Sequence, residues 1–333
     1  MEATYHLLEP RPYPGTLSLV IPMYNEESVV EALHAEIDRF LTEVKCETEV
    51  LLINDGSSDR TLPMIAGWAA LDGRIKIIQL SRNFGHQAAV TAGLDYARGD
   101  AIVLMDADLQ DPLSVVHRMI DRYCEGYDVV YGQREKRRGE PVLKRFTAWI
   151  FYRVMRAMVF RDLPLDAGDF RLISRECLRG LHSMRETHRF LRGMVAWMGY
   201  PQCAVKYERA PRAGGRTKYP LRKMVLFAWT AATSFSILPL QASLVLGFFV
   251  GLLGIEEGIR AALALTLHWY TVPGWTSLMI VACMIGSALL ISVGILGQYI
   301  GKIYEQSKVR PLYLISRTFN LGQARRAAGD QRE

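Results

Sequence analysis

The chain has 333 residues, half of them hydrophobic and 22% charged, with 40 Lys and Arg against 34 Asp and Glu for a net charge of +6. That length holds one globular domain of about 200 residues plus further elements, and the modest charge, with no Lys/Arg block interleaved with aromatics, argues against nucleic acid as a partner. The five cysteines, Cys46, Cys124, Cys177, Cys203 and Cys283, have no paired spacing, which excludes a disulfide scaffold or zinc site and fits a reducing compartment.

Residues 1–15 are polar and Pro-rich, without the apolar stretch of a signal peptide. The next 130 or so residues alternate buried strands with helices. Strands are expected at about 17–21, 49–53, 76–80, 101–105 and 128–131, with helices over about 27–44 and 86–97. Near-continuous Val/Ile/Leu strands separated by helices imply a doubly wound, mostly parallel α/β sheet covered on both faces.

Residues 144–160 place Arg145, Arg153 and Arg156 on one helical face and Ile150, Phe151, Val154 and Met155 on the other. This basic amphipathic pattern predicts a helix in a membrane interface; a core-facing helix with a solvated stripe is the alternative. A second interfacial helix is expected at about 219–231. Residues 234–255 and 275–300 are uncharged and apolar, each long enough to cross the hydrocarbon core, which takes about 20 residues. Arg209, Arg212, Arg216, Lys218, Arg222 and Lys223 precede the first span, and Lys302, Lys308, Arg310 and Arg317 follow the second. The intervening 256–274 has only Arg260 as a basic residue, so both termini are expected on the cytoplasmic side of the plasma membrane. The chain thus divides into a tail (1–15), a cytoplasmic catalytic domain (16–230), a two-helix membrane domain (232–301) and a basic cytoplasmic tail (302–333).

Open α/β sheets bind ligands beyond the carboxyl ends of their strands, and five polar clusters stand there. They are 22–27 (Pro-Met-Tyr-Asn-Glu-Glu), 54–59 (Asn-Asp-Gly-Ser-Ser-Asp), 81–87 (Ser-Arg-Asn-Phe-Gly-His-Gln), 106–111 (Asp-Ala-Asp-Leu-Gln-Asp) and 132–134 (Gly-Gln-Arg). Asp106 and Asp108 point the same way if extended geometry persists past the strand. With the side-chain oxygen of Gln110 they suit Mg²⁺ or Mn²⁺ with positions left open for diphosphate oxygens; a solvated acidic turn is the other reading. No GxGxxG or phosphate loop is present.

Together, the clusters at 20–27, 54–59 and 106–112 resemble the family-2 glycosyltransferases of GT-A fold. Residues 166–171 (Asp-Ala-Gly-Asp-Phe-Arg), 212–219 (Arg-Ala-Gly-Gly-Arg-Thr-Lys-Tyr) and 297–305 (Gly-Gln-Tyr-Ile-Gly-Lys-Ile-Tyr-Glu) resemble its polyprenyl-phosphate branch, which includes bactoprenol glucosyltransferases and dolichol-phosphate mannose synthases. The resemblance implies that Pro22, Tyr24, Glu26, Ile53 and Asp55 hold the nucleoside, that Asp106, Ala107, Asp108 and Gln110 form the metal and diphosphate site, and that Arg134 contacts the donor. It implies that Arg212 and Lys218 reach phosphate, as loop-borne basic groups do, and that Asp169 is a catalytic carboxylate beside Asp108, as base or as positioning group. An N-cap for the following helix is the alternative for Asp169, and Arg171 and Arg192 are candidates for the acceptor phosphate.

The implied reaction is inverting transfer of one hexose, glucose from UDP-glucose in the first instance, to undecaprenyl phosphate. Mannosyl, GlcNAc or aminoarabinose transfer to the same lipid class is the alternative, and a catalytically inactive membrane scaffold is the alternative of another kind. The implied partners are the nucleotide-sugar, the lipid, the membrane and further copies of the chain in a homo-oligomer.

Overall fold

The computed structural model describes residues 8–134, 167–208, 238–267 and 275–321. These fall into two compact units: 8–134, 167–208 and 311–321 form the first, and 238–267 and 275–310 the second.

The first unit opens with β1 (Thr16–Met23), α1 (Val30–Glu43), β2 (Glu47–Asn54), α2 (Thr61–Leu71), β3 (Ile75–Leu80), α3 (His86–Tyr96), β4 (Ala101–Leu104), α4 (Ser114–Cys124) and β5 (Val129–Arg134). It continues with β6 (Ala167–Ser174), α5 (Arg175–Ser183), α6 (Leu191–Trp197) and β7 (Gln202–Tyr207), and closes with β8 (Ile315–Phe319). One eight-stranded sheet runs β7-β5-β6-β4-β1-β2-β3-β8. The expected α/β sheet is therefore present, and it is mixed: β6 lies antiparallel to β4 and β5, and β8 antiparallel to β3, while the remaining pairs are parallel.

Strand alternation sorts the core into two layers. Leu17, Leu19, Ile21 and Met23 pack with α1, α2 and α4, whereas Val20, Leu51 and Ile53 pack with α3, α5 and α6. Each such fully buried aliphatic side chain contributes about 1.5–3 kcal/mol relative to exposure. Because both layers are apolar, the strands read as continuous hydrophobic runs.

Three strands were not anticipated. β6 runs through the motif at 166–171, β7 follows α6, and β8 lies within the stretch expected to be a cytoplasmic tail. Asn320, just past β8, donates from Nδ2 to the carbonyls of Ala69 (2.5 Å) and Ile75 (2.9 Å), tying the strand's end to the α2–β3 junction.

The second unit consists of α7 (Leu238–Thr266) and α8 (Trp275–Ser307). Within them Leu240–Arg260 and Ile280–Ser307 have mean hydropathies of 1.7 and 2.4 and are long and apolar enough to cross a membrane. Leu244, Phe248, Phe249, Leu289, Leu290 and Val293 are exposed, the pattern of helices whose apolar surface faces something other than water. The helix runs past the expected start of a loop at 256 and continues to Thr266. Glu256 and Arg260, four apart, favour continuing the helix. The amphipathic helices expected at 143–160 and 219–231 lie outside the described residues.

Candidate active site

The carboxyl ends of β1 and β2 are knitted into one surface. Parallel pairing sets Met23 opposite Asn54, so the two following loops run side by side. Asn25, with φ of 54°, donates its N–H to Ser57 Oγ (3.0 Å) and accepts from the Ser58 N–H (2.8 Å). The Glu26 N–H donates to Thr61 Oγ1 (2.9 Å) and the Glu27 N–H to Asp59 Oδ2 (3.1 Å), while Glu27 Oε2 accepts from the Arg60 N–H (3.1 Å). Much of both polar clusters therefore shapes the loops. Tyr24 is 47% exposed beside them, an open ring at the rim. Ile53, expected at the nucleoside, has a fully buried side chain in the α3 layer, and Ala107 is buried too.

Asp55 is buried and reaches sideways. Its two carboxylate oxygens accept the N–H groups of Phe84 (2.7 Å) and Gly85 (2.9 Å). Burial pushes its carboxyl above the ordinary range, against the pull of those two donors and of His86. Gly56 (φ 68°) lets the β2 loop close on the Arg82–Asn83 backbone, where a Cβ would stand 2.6 Å from Arg82 C.

Asp106 and Asp108 lie in a turn, since β4 ends at Leu104. The extended geometry does not persist: Leu109 takes φ of 57° and the Gln110 N–H donates to Asp108 Oδ1 (3.2 Å). Gln110 is buried at the foot of this turn. Burial raises the Asp106 pKa, with the negative charges of Asp169, Asp111 and Asp108 adding to it and His86 opposing it. Among the described residues no three His, Cys, Asp or Glu side chains are grouped to hold a metal ion by themselves.

Asp169 comes to this rim on β6, whose pairing sets Arg171 opposite Leu104. Its Oδ1 accepts from Arg192 Nη2 at 3.2 Å, with Arg171 Nη2 at 4.0 Å, and its Oδ2 lies 3.3 Å from His86 Nε2. Burial works against its charge, but the His86 hydrogen bond, Arg192 and Arg171 together hold its carboxyl well below the usual range. His86 in turn is pulled up by Asp169, Asp106 and Asp55 against the effect of burial. Arg171 is lowered to about 10 by burial and donates to the Gly168 carbonyl (3.0 Å). Asp169 does not cap α5; Ser174 does, accepting the Cys177 N–H at 3.1 Å.

Residues 18–181 match the family described as Glycosyl transferase family 2. The chain is 41% identical over 312 residues to the uncharacterized glycosyltransferase YkcC of Bacillus subtilis (strain 168), covering 92% of this chain and 95% of that one. It is 36% identical over 299 residues to the bactoprenol glucosyl transferase of Shigella phage SfV, covering 90% and 97%. This chain is a family 2 glycosyltransferase. Its fold also resembles the solved glucosyl-3-phosphoglycerate synthase from Mycobacterium tuberculosis in complex with Mn²⁺, UDP and glucosyl-3-phosphoglycerate, with a TM-score of 0.47 and 18% identity over 66% of this chain and 77% of that one.

Within this glycosyltransferase the fold brings Tyr24, Asp55, Asp106, Asp108, Gln110 and Asp169 to one edge of the GT-A-like sheet. Arg134 ends β5, and Arg212 and Lys218 lie outside the described residues. His86 and Thr61 were missed as contributors. His86 belongs to the polar cluster after β3, but only the approach of β6 gives it its nearest partner, Asp169.

Proposed function

We propose that this glycosyltransferase moves a single hexose, glucose from UDP-glucose, onto a polyprenyl phosphate of the undecaprenyl type at the cytoplasmic face of a membrane. The observation carrying this is the match to a bactoprenol glucosyl transferase over 97% of that protein's length. That span takes in the two apolar helices as well as the catalytic sheet. Basic residues before α7 and after α8 favour cytoplasmic termini.

Asp106, Asp108 and the Gln110 oxygen are a hard-oxygen set too small to enclose an ion. That fits Mg²⁺ or Mn²⁺, which commonly takes one or two carboxylates and completes its shell with water and substrate phosphate. The bound ion would neutralise charge on the departing nucleoside diphosphate. Tyr24 and the β1 and β2 loops would hold the nucleoside, and Arg134, Arg212 and Lys218 would contact phosphate.

The acceptor is a phosphate monoester, largely dianionic at pH 7 because its second pKa is about 6. Its oxygen forms the new bond to the anomeric carbon as the bond to the diphosphate breaks, and the electron pair leaves with the diphosphate. Such a nucleophile needs no strong base. Asp169, ionised and with both oxygens engaged, is a poor proton acceptor and a good positioning group. Inversion follows from attack opposite the leaving group.

The test is a panel of radiolabelled nucleotide-sugars incubated with membranes holding the protein and undecaprenyl phosphate. Label entering lipid from UDP-glucose alone is expected. Label from a mannose, GlcNAc or aminoarabinose donor instead would reassign the sugar, and no lipid label from any donor would end the proposal.

A further inference from the structure

We propose that His86 is a positioning residue for the transfer, acting through Asp169 by holding one oxygen of that carboxylate while Arg192 holds the other. That role rests on the rim of Asp106, Asp108 and Asp169 being where the sugar is transferred.

The backbone carrying His86 is itself fixed. His86 is the first residue of α3 and follows Gly85, whose φ of 96° suits glycine and few others. Asp55 clamps the two preceding N–H groups. The imidazole then rests with Nε2 3.3 Å from Asp169 Oδ2 and 3.9 Å from Asp106 Oδ1. A carboxylate turns easily about its last torsion, so a single hydrogen bond leaves it a pivot. Here each oxygen has its own donor, Arg192 on Oδ1 and His86 on Oδ2. An ionised carboxylate can only accept, so the proton of this pair sits on Nε2. Orienting partners of this kind commonly govern a reacting group they never replace.

Two other roles fit less well. As a metal ligand His86 would have to converge with Asp106 and Asp169 on one ion, and among the described residues no such trio is grouped to do so. As packing it contributes little, since its side chain is 42% exposed. Its loss therefore leaves no large cavity and can be read as a change in function.

Three variants decide the matter: H86A, H86Q and the double variant H86A/D169N, set against wild type and D169N in the lipid-transfer assay. Glutamine keeps an N–H near the Nε2 position and alanine does not. H86A is expected to lower kcat about 10- to 100-fold, with donor KM within about twofold, while H86Q recovers most of the rate. The double variant should be no slower than D169N, because His86 has nothing left to orient. Calorimetric binding of UDP with Mn²⁺ should be unchanged in H86A. Additive losses in the double variant, an H86Q as slow as H86A, or lost UDP–Mn²⁺ binding would each overturn the role. An inactive wild type would instead defeat the proposed reaction, whereas an active wild type matched by H86A defeats the role of His86 alone.

Discussion

The two edges of the central sheet treat charge in opposite ways. At the amino edge Glu49 is buried and fully engaged: it accepts from Ser18 Oγ (2.6 Å), the Arg98 N–H (2.6 Å) and Lys76 Nζ (2.5 Å). Asp100 Oδ2 accepts the N–H groups of Gly15 (3.0 Å) and Thr16 (3.1 Å), and Arg175 closes on the carbonyls of Ala97 and Gly99. At the carboxyl edge Asp169 is held by Arg192 and His86, but Asp106 feels the negative charges of Asp169, Asp111 and Asp108 with only His86 against them. Burial opposes ionisation at both places. The partners of Glu49 overcome it and lower its pKa, whereas at Asp106 burial, with Asp169, Asp111 and Asp108 adding to it, outweighs the pull of His86 and raises its pKa. Charge that is neutralised locally stabilises a fold; charge left in excess awaits something cationic.

The sharpest way to break this contrast is D106N. A neutral amide relieves repulsion within the acidic cluster, so thermal stability should stay equal or rise slightly. Transfer should fall by about 10³-fold, roughly 4 kcal/mol of transition-state stabilisation. D108N should behave alike, and EDTA should silence the wild type until Mg²⁺ or Mn²⁺ is restored. A D106N protein within tenfold of wild-type kcat/KM would show that the excess charge serves no chemistry.

The opposite result is expected from E49A. It leaves Lys76, 17% exposed, with its positive charge unmatched in a partly buried place, a loss of about 1–3 kcal/mol. Activity per folded molecule should not change. The pH sign follows from the lowered folded-state pKa. Ionised Glu49 stabilises the fold above its unfolded value of about 4.3, and that contribution is lost as pH falls through the lower folded value. Denaturant unfolding of wild type and E49Q should thus differ most near neutrality, and the gap should narrow as pH falls below about 4.3. A constant gap down to pH 3 would count against this assignment.

The contrast was only half legible in the sequence. Strands β1 to β5 stood out because Val/Ile/Leu runs end in turn residues, and the rim clusters marked the carboxyl edge. β6 escaped because Gly168, Asp169 and Arg171 interrupt its apolar pattern, although Phe170 and Leu172 turn to one layer and Ile173 to the other. β8 escaped because Ser316, Arg317 and Thr318 make a polar edge strand that resembles a tail. The amino edge was invisible as a whole. Glu49 looked like a strand residue, and its partners Ser18, Lys76 and Arg98 come from three other segments that only strand pairing brings together. Ile53 adjoins a motif, but its side chain belongs to the core, so any contact it makes at the rim falls to its backbone. His86 was visible, but its function depends on β6, which was not.

The smallest effect tests whether the amino edge extends to β8. Asn320 lies at the far end of β8, and its Nδ2 serves the carbonyls of Ala69 and Ile75. Ala69 sits in the last turn of α2, where helix carbonyls lack partners within the helix. N320A leaves these acceptors to water at a partly covered surface, a cost of about 1 kcal/mol. The midpoint of denaturation should drop accordingly, with kcat and KM per folded molecule unchanged. Because β8 runs antiparallel to β3, its other end pairs at Leu80, next to the loop that carries His86. A register slip of the whole strand, rather than a local loss, would therefore slow transfer as well as lower stability. An N320A protein with normal kcat assigns Asn320 to the stabilising edge; one with reduced kcat means that β8 transmits strain from one edge to the other and that the two edges are not independent.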